Sequence, residues 1–200
     1  MERCTWCLGN EKLLRYHDEE WGVPLEDDPK QFEFLMLEAM QCGLNWNMML
    51  QKREIFRACF AGFDPHKVAD FGEKDIRRIL AVEGMIRSER KVRAVIQNAR
   101  CFCRVQEEFG SFQRYLQSFA GERPILYAGH SSGALPAGNA LSARIGKDLK
   151  KRGFSYLGPV TVYSHLQACG VINDHAEGCF RRRELLSRFP ALRREPEEEF

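Results

Sequence analysis

Apolar residues recur at intervals of three and four along most of the 200 positions, and no stretch alternates for the length of a strand between turn signals. The segment "DDPKQFEFLMLEAMQC" carries Phe32, Leu35, Met36, Ala39 and Met40 at helical spacing, with Asp28 placed as N-cap and Pro29 at the first helical position. "DPHKVADF" repeats the Asp-Pro start at Asp64. "GEKDIRRILAVEG" ends on Gly84, a residue suited to a left-handed cap, and "SERKVRAVIQNARCF" begins almost at once. Further helices are predicted in "SFQRYLQSFA", in "NALSARIGKDLKKRG" closing on Gly153, and from Pro159 to Gly170. The longest interruption, roughly residues 121–138, is rich in Gly, Pro and Ser and reads as a surface loop. The pattern predicts an all-α domain with no sheet and no internal repeat.

Composition adds a core and a compartment. A 44% hydrophobic content with 14 Phe is ample for one packed interior. Residues 1–190 read as a single helical domain, and 191–200 as an acidic, mobile tail. No run approaches the roughly 20 apolar residues of a membrane span, and the start "MERCTWC" lacks the apolar centre of a signal peptide. A soluble, intracellular chain is therefore expected, without membrane association. In that reducing setting the eight cysteines are better read as buried thiols or metal ligands than as disulfides.

Charge changes the picture only once its distribution is considered. Lys and Arg number 30 against 28 acidic residues, but four of those acids lie in the terminal "EPEEEF". Segment 87–104 holds six Arg or Lys against one Glu, and 143–152 holds five against one Asp. The junction 73–99 places a helix, the turn "VEGMIRSER" and a second helix headed by basic residues. Gly84 permits a tight turn, and the helix start beside Arg87, Arg90 and Lys91 offers free N–H groups and positive dipole to a phosphate. A helix-hairpin-helix grips a DNA backbone in this way without reading sequence. An ordinary αα-corner has the same pattern.

Candidate chemistry sits at the two chain ends. In "NDHAEGCF", His175 and Cys179 are four positions apart, half of a tetrahedral zinc site. The complementary donors are Cys4, Cys7 and His17. The surrounding motifs "RCTW" (3–6), "YHDEEWGVP" (16–24), "LEAMQCGLNW" (37–46), "KREIFRACFAGFD" (52–64) and "YSHLQACGVINDH" (163–175) together resemble the 3-methyladenine DNA glycosylase I family, within the helix-hairpin-helix superfamily, from residue 1 to about 185.

The resemblance implies one structural zinc held by Cys4, His17, His175 and Cys179, clipping the N- and C-termini together, with Cys7 as an extra thiol. Four protein ligands leave no open position for water, so a hydrolytic metal is not the reading of these residues. It further implies a pocket for a base flipped out of the duplex. Tyr16 and Trp46 are its expected stacking pair, Trp6 and Trp21 its walls, and Glu38 the catalytic carboxylate that contacts the alkylated base. Spacing alone would put Glu38 on an exposed strip of its helix. Leu44 is read either as an apolar plug for the gap in the DNA or as a core leucine.

The sequence departs from the family at Cys42, where Ala is usual, at Asn45, where Ser or Thr is usual, and at His165, where an apolar or aromatic residue is usual. Asn45 beside Trp46 is a candidate to alter the pocket's hydrogen bonds, and His165 is expected to be a satisfied core histidine, the alternative being a place near the pocket where it would alter the pH response. The implied activity is hydrolytic excision of 3-methyladenine from double-stranded DNA, leaving an abasic site. No Schiff base is expected, because no Lys falls in the pocket motifs. The implied enzyme is a bacterial-type, cytoplasmic monomer working at the nucleoid. The alternatives are a relative shifted to another alkylated purine, such as 3-methylguanine, and a zinc-clipped module that binds DNA without chemistry.

Overall fold

The computed structural model describes residues 1–128, 130 and 135–195. The N-terminal segment forms a short 3-10 turn, Thr5–Gly9, and then α1 (Glu11–Glu19). Next come α2 (Asp28–Gln41), α3 (Trp46–Cys59), the short α4 (Pro65–Ala69), α5 (Glu73–Ala81), the long α6 (Glu89–Phe109) and α7 (Phe112–Ala120). After strand β1 (Ile125–Tyr127) the chain continues through α8 (Ala140–Lys151), α9 (Pro159–Ala168), α10 (Phe180–Arg188) and β2 (Leu192–Arg194).

The molecule is mostly helical, as the periodicity predicts, but it does contain a small sheet. β1 and β2 pair in parallel, with Ile125 opposite Leu192, and Ile125 also bridges to Ile172. All three residues of β1 are buried. A strand covered on both faces reads as a short apolar run, so no alternation marks it in the sequence. The segment expected to be a surface loop therefore delivers a core strand, while 129 and 131–134 lie outside the described residues. Of the expected tail, Leu192–Arg194 form β2, and 196–200 lie outside the described residues.

Helix α2 is the central element, with every residue from 31 to 40 buried. It packs on α3, α6, α7 and α9. Aromatic pairs tie these helices: Phe32 meets Phe102 at 5.2 Å edge to face, and Phe102 stacks on Phe112 at 4.5 Å. The N-cap of α2 is Asp27, which accepts from the Lys30 amide, rather than the expected Asp28. Asp28 instead bridges α6 to α7 by accepting from Gln106 Nε2 at 2.7 Å and the Phe112 amide at 3.0 Å. Asp64 caps α4 as predicted.

Two turns matter for the site. Helix α5 ends at Ala81, before Gly84, and Gly84 lies in the turn to α6 at φ +77°. That positive φ selects glycine; a Cβ there would meet only the tip of the Ile55 side chain, Cδ1 at 2.8 Å, which is able to move aside. The α8–α9 turn is pinned by Asn98, whose buried carboxamide accepts from the Ser155 amide and donates to the Ser155 carbonyl at 2.8 and 3.0 Å.

Candidate active site and metal cluster

Hydrophobic packing divides into a large core around α2 and a smaller cluster around α1 that includes Cys4, Tyr16, Trp21, Phe34 and Cys179. Trp46, at the first position of α3, touches both. A cavity of about 240 Å³ opens at this seam, lined by Trp6, Tyr16, Trp21, Glu38, Gln41, Trp46, Leu135, Ser164 and Gln167. Five of these, Trp6, Tyr16, Trp21, Glu38 and Trp46, are among the six pocket residues expected from the family resemblance, Asn45 being the sixth. The other four were missed. Gln41 lies one helical turn from Glu38, and Ser164 and Gln167 are one turn apart on α9, so periodicity around Glu38 and within "YSHLQACG" was the available signal.

Glu38 decides the character of the pocket. Its carboxyl is buried and has no hydrogen-bond or ion-pair partner among the described residues. Burial alone pushes its pKa up to about 8. Such a group is neutral in an empty apolar pocket and becomes a strong counter-charge when a cation enters. Among the described residues no lysine lines the cavity. Tyr16 and Trp46 are in contact, with centroids 5.2 Å apart and planes at 54°. A base sandwiched between two rings needs two van der Waals gaps, about 7 Å, so seating a purine there requires one ring to swing aside. Trp46 has a buried Nε1 with no partner among the described residues.

The three departures from the family pattern do other work. Asn45 is the N-cap of α3, accepting from the Met48 amide at 2.9 Å, and does not line the cavity. Ser, Thr and Asn serve equally in that role, which explains how Asn stands where the family usually has Ser or Thr. Cys42 is also off the cavity, its sulfur 3.8 Å from the Tyr156 carbonyl and from Thr161 Oγ1. Neither change offers a reason for altered base choice. His165 is in the core beside Phe112, with neither ring nitrogen partnered among the described residues, and burial lowers its pKa to about 3. It is thus not the satisfied histidine expected; it fills aromatic volume as a neutral ring. Leu44 is partly exposed just beyond the end of α2 and does not line the cavity.

Next to the pocket lies a buried cluster of Cys4, His17, His175 and Cys179, whose donor atoms all fall within 4.8 Å of one another. Cys4 Sγ is 3.7 Å from His175 Nδ1, and Cys179 Sγ is 3.4 Å from His17 Nε2 and 3.6 Å from His175 Nδ1. A zinc tetrahedron with ordinary bond lengths puts neighbouring S and N donors about 3.5 Å apart. The other ring nitrogens are held as metal ligands require: His17 Nδ1 by Asp18 at 2.8 Å, and His175 Nε2 by the Trp21 carbonyl at 3.1 Å. Arg3 in turn pairs with Asp18. Gly22, at φ +80°, brings the Trp21 turn against the ring, where a Cβ would lie 3.0 Å from His175 Nε2. Cys7 is outside this set, with its thiol on the Cys4 carbonyl at 3.0 Å. Burial raises the Cys4 thiol to about 12 and lowers His175 to about 3, so both are neutral without a metal.

The sequence profile described as Methyladenine glycosylase matches residues 6–182. The chain belongs to this family. It is 41% identical to the DNA-3-methyladenine glycosylase 1 of Escherichia coli (strain K12) over 179 residues, 90% of this chain and 96% of that one. Identity to the DNA-3-methyladenine glycosylase of Haemophilus influenzae is 35%, covering 88% and 96%. Among solved structures, that of the Staphylococcus aureus enzyme described as showing the structural basis of 3-methyladenine recognition superposes with a TM-score of 0.84 at 33% identity, covering 91% of this chain and 97% of that one.

Family membership does not by itself locate a DNA surface. Arg87 and Arg90, from the α5–α6 turn and the start of α6, are exposed and form no ion pair among the described residues. Lys91 is committed elsewhere, donating to the Met40 and Cys42 carbonyls at 2.7 Å each and so capping α2. A second helix–turn–helix, α8–α9, contributes Lys147, Lys150, Gly158 and Pro159 to a groove of about 670 Å³ that Arg90 also lines. No helix of the described residues is long and apolar enough to cross a membrane.

Proposed function

We propose that the protein is a monofunctional DNA-3-methyladenine glycosylase, which accepts an alkylated adenine flipped from DNA and hydrolyses its N-glycosidic bond. The observation that carries this reading is the unpartnered, buried Glu38 carboxyl in a cavity walled by Tyr16, Trp21 and Trp46. N3-alkylation makes the adenine of the nucleotide cationic. Aromatic faces attract that cation, and its charge draws Glu38 to its ionised form. When the C1′–N9 bond breaks, its electron pair passes to the base and neutralises it, and water adds to C1′ with loss of a proton. The leaving group is already activated, so the protein's main tasks are extrusion, orientation and selection. That no lysine lines the cavity among the described residues supports water rather than an amine as the nucleophile.

The DNA would run along the basic groove between the α5–α6 and α8–α9 turns, with helix-hairpin-helix contacts to the phosphates of a duplex. Arg90, Lys147 and Lys150 line that groove with no ion-pair partner among the described residues; they and Arg87 of the α5–α6 turn would meet the phosphates, with Gly84 and the start of α9 as close-approach points. Leu44, exposed beyond the end of α2, would enter the gap left by the base. The Cys4, His17, His175 and Cys179 set fits one structural zinc, which when bound would hold the N-terminal segment and α1 to the 175–179 turn across a long loop. Those elements supply Trp6 and Tyr16, and the turn after α1 supplies Trp21, so the clip would set the wall of the pocket.

Chromatography of bases released from methylated duplex DNA tests the reading. Release of 3-methyladenine is expected. A folded, metal-loaded sample that binds the DNA and releases no base would leave a binding module and overturn the enzyme assignment.

A further inference from the structure

Gln167 lies in the pocket wall with its carboxamide anchored from behind. Its Nε2 donates to Asp174 Oδ2 at 2.9 Å. Asp174 is buried and also receives the Tyr163 hydroxyl at 2.5 Å on Oδ2 and His130 Nδ1 at 2.9 Å on Oδ1. Its own position is fixed by the neighbouring backbone, where the Asn173 amide donates to the Ile125 carbonyl of β1. A carboxylate only accepts, so it forces the nitrogen of Gln167 toward itself and settles which way round the amide sits. The Oε1 atom is then left without a partner among the described residues, on a side chain that lines the cavity.

We propose that Gln167 is a specificity-determining residue, oriented by Asp174 so that its carboxamide oxygen meets the base edge and selects purines carrying an amino group at C6 over those carrying a carbonyl. An acceptor fixed in place gains a hydrogen bond from an alkylated adenine and faces a second acceptor in an alkylated guanine. Asp174 is the positioning residue: the burial of its carboxylate, with three donors converging on it, prevents the flip that would present the nitrogen instead. The inference rests on the glycosylase reading and names the feature of the substrate that this wall would read.

The test compares the unaltered protein with Gln167→Met and Asp174→Asn, in the ratio of kcat/KM for release of 3-methyladenine over 3-methylguanine from methylated duplex DNA. Gln167→Met keeps the side chain's length and removes its polar atoms. Its ratio should fall about tenfold, the worth of one neutral hydrogen bond, mainly through the adenine product. Asp174→Asn offers a donor as well as an acceptor, so the Gln167 amide is free to turn, and the ratio should move the same way. A merely structural loss would lower both products by one factor; that outcome, or an unchanged ratio in Gln167→Met, overturns the proposal.

Should Asp174→Asn fail to fold, Gln167→Met carries the test alone. Binding of the free bases, read by quenching of tryptophan fluorescence from the pocket walls, separates this inference from the enzyme reading. An unaltered protein that releases nothing yet binds 3-methyladenine over 3-methylguanine, with the preference lost in Gln167→Met, would support the selector and sink the glycosylase. Equal binding of the two bases, or of neither, overturns the selector.

Discussion

Helix α2 carries two buried glutamates five residues apart, and their surroundings are opposite. Glu33, 4% exposed, is gripped by Arg53 Nε at 2.8 Å, Arg57 Nε at 2.7 Å and Lys30 Nζ at 3.2 Å. Those partners outweigh its burial and bring its pKa down to about 2. Glu38, 6% exposed, has no partner among the described residues, and burial alone takes its pKa up to about 8. Equal burial on one helix therefore yields a permanent anion that joins helices and a neutral acid that faces a cavity. The compensated carboxylate belongs to the fold, and the uncompensated one is a standing cost that a cationic ligand relieves.

Breaking the compensation should give the largest effect. Arg53 also makes two 2.7 Å bonds to Glu20, so it holds two carboxylates at once. Arg53→Met is expected to lower the unfolding free energy by about 3–5 kcal/mol, the usual consequence of removing one partner from a buried charge network. Urea denaturation measures this. A loss below about 1 kcal/mol would mean that Lys30 and Arg57 suffice, and the contrast between the two glutamates would weaken.

The opposite outcome is expected at the other site. Glu38→Gln should reduce kcat/KM for 3-methyladenine release by about a hundredfold, the scale of removing one buried charge from a reacting cation. The same change should make the protein more stable. With a folded pKa near 8 against 4.5 when unfolded, Glu38 opposes folding at every pH above about 4.5, by up to roughly 3 kcal/mol at pH 7. The stability gain in Glu38→Gln should therefore vanish as pH falls to about 4 and grow as pH rises toward 8. Glu33 has the reverse sign: its contribution is present above about 4.5 and is lost as pH falls toward 2. Thermal melts of Glu38→Gln and the parent across pH 4–8 would expose a wrong assignment if their difference stayed constant.

A pH profile sharpens the same contrast with a smaller effect. The ionised form of Glu38 is the one that attracts a cationic base, so kcat/KM should rise with pH and level off above about 8. Glu38→Gln should flatten that limb. A limb that persists in the variant belongs to another group.

How much of this was legible in the sequence follows from where each signal resides. The helices were readable because α2, α6 and α8 place apolar residues on continuous faces. The parallel sheet was not, because three buried residues in β1 pair through backbone atoms with three others more than sixty positions away. Spacing gave only the His175 and Cys179 pair with Cys4, Cys7 and His17 as candidate partners; the aromatic walls and the four-residue Cys–His set came from the family resemblance. Gln41, Ser164 and Gln167 were passed over because a polar residue on a helix reads as solvent-facing until the opposing wall is known. The partners of Glu33 and the isolation of Glu38 were equally hidden, since "EFLMLE" shows two glutamates and nothing of what surrounds them.

Asn45 supplies the smallest and most discriminating case. In sequence it stood beside Trp46 as a possible change to the pocket, whereas its side chain is occupied with the Met48 amide at the start of α3. If capping is its role, Asn45→Ser should alter stability by no more than about 0.5 kcal/mol, and Asn45→Ala should cost about 1 kcal/mol. Neither should change the ratio of 3-methyladenine to 3-methylguanine release. A shifted ratio in Asn45→Ser, with stability intact, would place Asn45 with Glu38 as a group held for the ligand. An unshifted ratio places it with Glu33: a polar side chain whose hydrogen bonds are already taken has nothing left to offer a base.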